Sequence, residues 1–258
     1  MKDKLIKGIQ KNITRMVEVS RQGLTEQQCM IDLSQLSFNF VSSDWFWSMQ
    51  FPWGSMYHSD FMAQELSNYK KDPEAWELLQ TITQDYWQLV KLCDPFTDVM
   101  HLIGYSSQKL SKAMGQFLTP PTVADGLFRL TCTLPELETG EDILVGDPAG
   151  CGAGSLLLGW LRYAHELHPT RLNQVHMFGV DLDRKMVRMT ALQITMSCLV
   201  HDIPLGSLSL HCCNGITDYD HYAFGSTKFL AYRFAADRNR YVIFNLKNRA
   251  EAPETEAA

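Results

Sequence analysis

The sequence predicts an α/β protein, a three-layer domain on a parallel sheet preceded by a helical region. Three observations carry this. The segments "DILVGD", "HMFGVDLD" and "SLSLHCC", beginning at Asp142, His176 and Ser207, read as short apolar strands. The first two are each followed by a long helical pattern, and strands alternating with helices specify parallel pairing through right-handed crossovers. The first strand ends on Asp147 and runs into the Gly-rich turn "DPAGCGAG" before an apolar helix.

Taken in order, Leu5, Ile9, Ile13 and Met16 fall on one face of a helix within residues 1–22. The stretch "LSFNFVSSDWFWSMQFPWGSMY" is aromatic and irregular, as expected of rings that lock loops onto a core; a base-stacking surface is the alternative. In "DPEAWELLQTITQDYWQLVKLC", Asp72 is the candidate cap and Pro73 suits the first helical position. Glu74 suits the positive end of the dipole, and Asp94-Pro95 stops the helix. Residues 1–100 therefore read as a helical region without strands. In "GQFLTPPTVADGLFRL", Thr119 is the candidate cap, Pro120 the first helical residue, and Val123, Leu127 and Leu130 the apolar stripe. The segment "KFLAYRFAADRNRYVIFNL" reads as two strands joined by a turn. The α/β domain is expected over 101–249, and the acidic tail 250–258 is expected to be disordered.

Composition sets outer bounds. The 258 residues suffice for one α/β domain with a helical addition. No run of about 18 apolar residues suggests a membrane span, and the charged N-terminus lacks the apolar core of a secretory signal. The seven cysteines are scattered without paired C-x-x-C spacing, which argues against zinc and for a reducing, cytoplasmic setting. His201, His211 and His221 recur at ten-residue intervals, which is not a ligand spacing, so no metal is expected. The net charge of −6 excludes a uniformly basic surface but not a local one. The N-terminal helix and the segment holding Arg233, Arg238 and Arg240 are locally basic. Each is a solvated face or a phosphate contact surface.

The turn itself has a chemistry. Gly150, Gly152 and Gly154 let backbone approach a ligand, and the following helix aims its N–H groups at it. No Lys follows in the pattern of an ATP-binding P-loop. Asp181 ends the second strand 27 residues after Gly154, where a carboxylate can accept both hydroxyls of a ribose. The alternative for Asp181 is a helix cap, but Asp183 fits that cap better. Asp147 beside the glycines would repel a pyrophosphate and suits a cationic amino-acid group, which points to S-adenosylmethionine (SAM).

"GQFLTP", "DPAGCGAGSLLLG", "FGVDLD" and "HCCNGIT" occur in the order of the SAM motifs of N6-adenine DNA methyltransferases. Together they resemble the SAM-binding domain of the methylation subunit of type I restriction–modification systems, over roughly residues 94–217. The resemblance implies a Rossmann-type methyltransferase domain with SAM as cofactor and DNA as substrate. Phe117, Thr119 and Pro120 would flank the methionine end of SAM. Asp147, Pro148, Gly152 and Gly154 would form the amino-acid and loop contacts. Asp181 would take the ribose hydroxyls, Leu182 would lie against the adenine ring, and Asn214 would sit by the adenine amino group.

Three departures stand out. The loop from Asp147 to Gly152 is one residue longer than the family's D-P-x-x-G-x-G, through Gly150. Asn214 replaces the usual Asp. The Asn/Asp-Pro-Pro-aromatic motif, which holds and stacks the target base, has no match after Asn214. The nearest segment is Asn245-Leu246-Lys247-Asn248. Asn245 is thus the only catalytic candidate, and the alternative is that it merely ends a hairpin strand. The family continues with further strands and a target-recognition region, so the expectation is a cofactor-binding half, with an incomplete sheet, lacking the acceptor half. Methyl transfer would then be degenerate or dependent on a partner protein that supplies the acceptor or target-recognition part. The rivals are an active adenine methyltransferase with an unconventional acceptor site, and a non-enzymatic DNA- or protein-binding platform.

Overall fold

The structure, a computed structural model, describes residues 1–42, 54–57, 59–62, 66, 69, 71–104, 119–218 and 228–233. Helix α1 (Lys2–Val19) buries Ile9, Ile13 and Met16, the stripe expected from their spacing. Helix α2 (Glu26–Val41) is capped by Thr25, whose hydroxyl accepts from the Gln28 N–H, and it is buried along most of its length. Strand β1 (Gly54–Tyr57) follows, so the helical region is not free of strands as expected. The tetrapeptide Gly-Ser-Met-Tyr alternates too briefly to announce itself, and pairing with a distant strand decides its conformation.

Helix α3 (Pro73–Leu92) has Pro73 in its first turn and ends before Asp94-Pro95, as expected. Asp72, however, is not its side-chain cap. The carboxylate accepts from the Arg21 backbone N–H at 2.8 Å and pins the turn between α1 and α2. A tertiary donor has out-competed the local one. The short helix α4 (Val99–Leu102) is capped by Asp98.

Helix α5 (Pro121–Thr131) begins one residue later than expected. Pro120 is the cap and Pro121 the first helical residue. The reason is steric: a residue preceding proline is driven out of the helical region, and Pro120 adopts ψ 139°. After α6 (Pro135–Thr139) come β2 (Ile143–Asp147), α7 (Ser155–Leu167), β3 (Val175–Asp181), α8 (Arg184–His201), β4 (Ser207–Cys212) and β5 (Lys228–Arg233).

The five strands form one sheet in the order β1-β5-β4-β3-β2. β2, β3 and β4 are parallel, with Asp147 opposite Gly179 and Asp181 opposite Cys212. β5 runs antiparallel to β4, and β1 antiparallel to β5. The sheet is therefore mixed, with a three-stranded parallel part. β5 is the first arm of the expected hairpin; the second arm lies outside the described residues. Val175, Met177, Leu208 and Leu210 share one core with Leu157, Leu161, Leu192 and Ile9, so α7, α8 and the N-terminal helices pack as one body on one face. Phe178 and Val180, on the opposite face, form a separate cluster. The described residues define this helix layer and the sheet, but not a third layer.

Helices α5 and α7 run parallel and close. Gly159 faces Ala124 so tightly that a Cβ there would lie 2.8 Å from the alanine methyl. Asp125 pairs with Arg162, and Arg129 with Glu166, one turn further along both helices. This parallel register brings the start of α5 to the same end of the molecule as the start of α7.

No helix among the described residues is long and apolar enough to cross a membrane.

Candidate functional site

The C-terminal ends of β2, β3 and β4 lie side by side. Crevices at such ends are where open α/β sheets bind ligands. The Gly-rich loop is built by its glycines. Gly150, Gly152 and Gly154 have φ of 138°, 55° and 89°, values that a side chain would strain. The loop is stitched to the sheet by the Cys151 N–H, which donates to the Val180 carbonyl at 2.7 Å.

Asp181 stands at the centre. One carboxylate oxygen accepts from the Gly152 N–H at 2.9 Å, the other from the Asp183 N–H at 2.8 Å. Burial, which leaves the residue 8% exposed, raises its pKa, opposed by these backbone donors. Asp183 caps α8 by accepting from the Lys185 N–H, as expected, so Asp181 is not needed as the cap. Asp147 is half-buried. Desolvation raises its pKa, the Ala149 and Gly150 N–H groups lower it, and the charge of Asp181 adds to the rise. Two carboxylates thus face the same loop. Pro148 is exposed beside them.

Leu182 is 72% exposed at the rim, directly after Asp181. Asn214 follows β4. Its side-chain oxygen accepts from the Ile216 and Thr217 N–H groups at 2.9 and 3.3 Å, and its own N–H donates to Asp218 at 2.9 Å. The network fixes the amide orientation and leaves the NH2 end for other partners. The Cys213 N–H donates to the Asp181 carbonyl at 3.0 Å, which ties the Asn214 turn to the Asp181 turn. Thr119 and Pro120 stand before α5, at the end shared with the start of α7. The sequence-derived residues from Asp147 to Asn214 therefore converge on one edge. Phe117, Asn245, Arg238 and Arg240 lie outside the described residues, and Arg233 ends β5.

Sequence reasoning missed one polar line. The Ser207 hydroxyl lies 2.8 Å from His176 Nδ1, and His176 Nε2 lies 3.6 Å from Asp142. It sits at the opposite, N-terminal ends of the strands. Ser207 is 3% exposed, so this line ties three strand starts together and offers no accessible nucleophile. His176 and Ser207 meet only through the β3–β4 register, which spacing along the chain does not reveal. Among the described residues no group of side chains is placed to hold a metal ion.

The comparisons with known proteins fit this geometry. The family described as N-6 DNA methylase matches residues 93–229, more than half of the chain and the whole of the strand-end site from Asp147 to Asn214. No curated protein and no solved structure matches. A chain matched over that length, with the motif segments in family order, belongs to the N-6 DNA methylase family.

Proposed function

We propose that the chain binds SAM at the ends of β2, β3 and β4, and that it is a DNA adenine-N6 methyltransferase-like protein whose acceptor half is degenerate or supplied by a partner. The observation that carries the cofactor reading is the buried Asp181 carboxylate held against Gly152, with the exposed Leu182 beside it. A carboxylate with two oxygens presented at a strand end suits the paired hydroxyls of a ribose. An exposed leucine at the rim suits the apolar face of a purine. Two carboxylates around one loop favour a ligand with a cationic amino group over one with a pyrophosphate. Family membership supports the same ligand. The NH2 end of Asn214 suits an acceptor nitrogen in the adenine ring of SAM, rather than its amino group.

SAM, when bound, supplies an activated methyl group. The chain's own residues would fix its sugar through Asp181, its ring through Leu182, and its amino-acid end through Asp147, the loop glycines and the Phe117–Pro120 segment. Receiving the methyl group is a separate task. The exocyclic amino group of adenine is a poor nucleophile, and the target base must be flipped, stacked and polarised by fixed acceptors. Such acceptors contribute about 3–4 kcal/mol each, or roughly 10²–10³ in rate. In these 258 residues no Pro-Pro-aromatic motif follows Asn214, and the segment at Asn245 has neither rigidifying prolines nor the ring. DNA, and a protein supplying the acceptor part, are the partners this reading implies.

The test is one incubation with two readouts. The purified chain, given labelled SAM and mixed-sequence duplex and single-stranded DNA, should retain SAM in equilibrium dialysis while digested DNA shows no N6-methyladenine above background. Absence of retained SAM would refute the cofactor reading. Product that disappears in Asp181→Ala would make the chain an active enzyme by itself. Product only after a partner is added would place the acceptor half in trans.

A further inference from the structure

Helix α8 is buried on nearly every side, yet its face toward the Gly-rich loop is polar. Thr190, Gln193 and Ser197 follow at i, i+3 and i+7, and their exposures are 0%, 3% and 3%. Helical spacing stacks them into one stripe. Each spends its side chain on the backbone of another segment. The Thr190 hydroxyl donates to the Gly152 carbonyl at 2.8 Å. The Gln193 amide donates to the Ala153 carbonyl at 2.9 Å, and its oxygen accepts from the Met100 N–H at 3.1 Å. The Ser197 hydroxyl accepts from the Phe96 N–H at 2.7 Å. A further tie closes the ring: the Ser155 hydroxyl donates to the Asp98 carboxylate at 2.6 Å, and both groups are buried.

Two consecutive loop carbonyls, at 152 and 153, are thus drawn inward onto α8, while the Gly152 N–H is held outward on Asp181. The Thr190 methyl also bounds the loop: a Cβ at Gly154 would lie 3.0 Å from it. The same stripe anchors the 96–100 segment, which belongs to the helical region. The loop is therefore held by side chains of α8 as well as by its own glycines and its tie to β3.

We propose that Thr190 and Gln193 are positioning residues of the Gly-rich loop, setting its backbone for the ligand and coupling it to the segment around Met100. The proposal rests on the reading that this loop holds SAM. It acts on the loop whether or not a ligand is present, so the two can be tested apart.

The experiment compares the full chain with Thr190→Val, Gln193→Met and the hydroxyl-retaining Thr190→Ser. Hydrogen exchange is followed in the free protein, and SAM affinity by calorimetry. One lost hydrogen bond to a buried carbonyl corresponds to about a tenfold change in an equilibrium. Thr190→Val and Gln193→Met should each speed exchange at residues 151–155 by about tenfold relative to the β3 amides, and weaken SAM by a similar factor. Thr190→Ser should restore both most of the way. A merely structural role would raise exchange across the sheet as much as in the loop, or leave SAM affinity within about twofold of wild type while the protein stays folded; either overturns the proposal. Wild type that binds no SAM, with local exchange responding as expected, would refute the cofactor reading and uphold the positioning of the loop.

Discussion

His211 makes an acid-sensitive core, and its effect can be worked out from the structure. The ring lies on β4, is fully buried, packs 5.6 Å from the Phe178 ring and shares a hydrogen bond with Ser209 at 3.1 Å. Desolvation pushes its pKa down to about 4. In the unfolded chain an imidazole titrates near about 6.5. Between these values the unfolded chain binds a proton that the folded state refuses. The contribution is therefore fully present above pH about 6.5 and is lost as pH falls towards about 4, reaching about 3 kcal/mol over the whole window. Asp32, Asp147 and Asp181 act in the opposite sense, because burial raises their pKa values and stability is gained as pH falls through them. The variant His211→Gln isolates the histidine, since its amide can still meet Ser209 but does not titrate. Urea unfolding at pH about 7 and about 4.5 should show wild type losing about 2–3 kcal/mol more than the variant over that interval. Parallel pH profiles, within about 0.5 kcal/mol, would refute the assignment of the acid sensitivity to this ring.

Two further predictions concern packing and nucleic acid. Gly159→Ala should lower the melting temperature, because its Cβ would meet Ala124 at 2.8 Å and force α5 off α7 at a cost of about 1–3 kcal/mol. Gly8→Ala in α1, with nothing within 4 Å, should instead stabilise by about 0.5–1 kcal/mol, and the pair of thermal melts checks both. Neutralising Arg233, Arg238 and Arg240 together should flatten the salt dependence of DNA binding by about one unit of slope per lost phosphate contact, measured by fluorescence anisotropy across a salt series; an unchanged slope removes this segment.

What was legible in the sequence was local. β2 and β3 end on Asp147 and Asp181, β4 starts directly after Gly206, and the capping carboxylate of Asp183 sits two residues from the N–H it accepts. Their position at strand ends was enough to bring Asp147, Asp181 and Asn214 together. What was not legible depended on distant partners. Asp72 looks like a cap but is taken by Arg21. β1 exists only because β5 pairs with it. Pro120 and Pro121 are both credible first residues of a helix until the steric effect of one on the other is counted. Thr190 and Gln193 read as ordinary interruptions of an apolar helix, because the loop they hold is about forty residues away along the chain. The orientation of Asn214 was also hidden, since the turn that uses its oxygen forms only after β4 ends.

The cofactor site is tested most directly by calorimetric titration of SAM into wild type and Leu182→Ala. Leu182 is 72% exposed, so its truncation leaves the fold intact and reports on a ligand that covers it. Covering a leucine rather than an alanine is worth about 1–2 kcal/mol. SAM should bind wild type, and Leu182→Ala should bind it about 5–30-fold more weakly with an unchanged melting temperature. No heat of binding in wild type, or equal affinity in the two proteins, would contradict the placement of SAM at the ends of β2, β3 and β4.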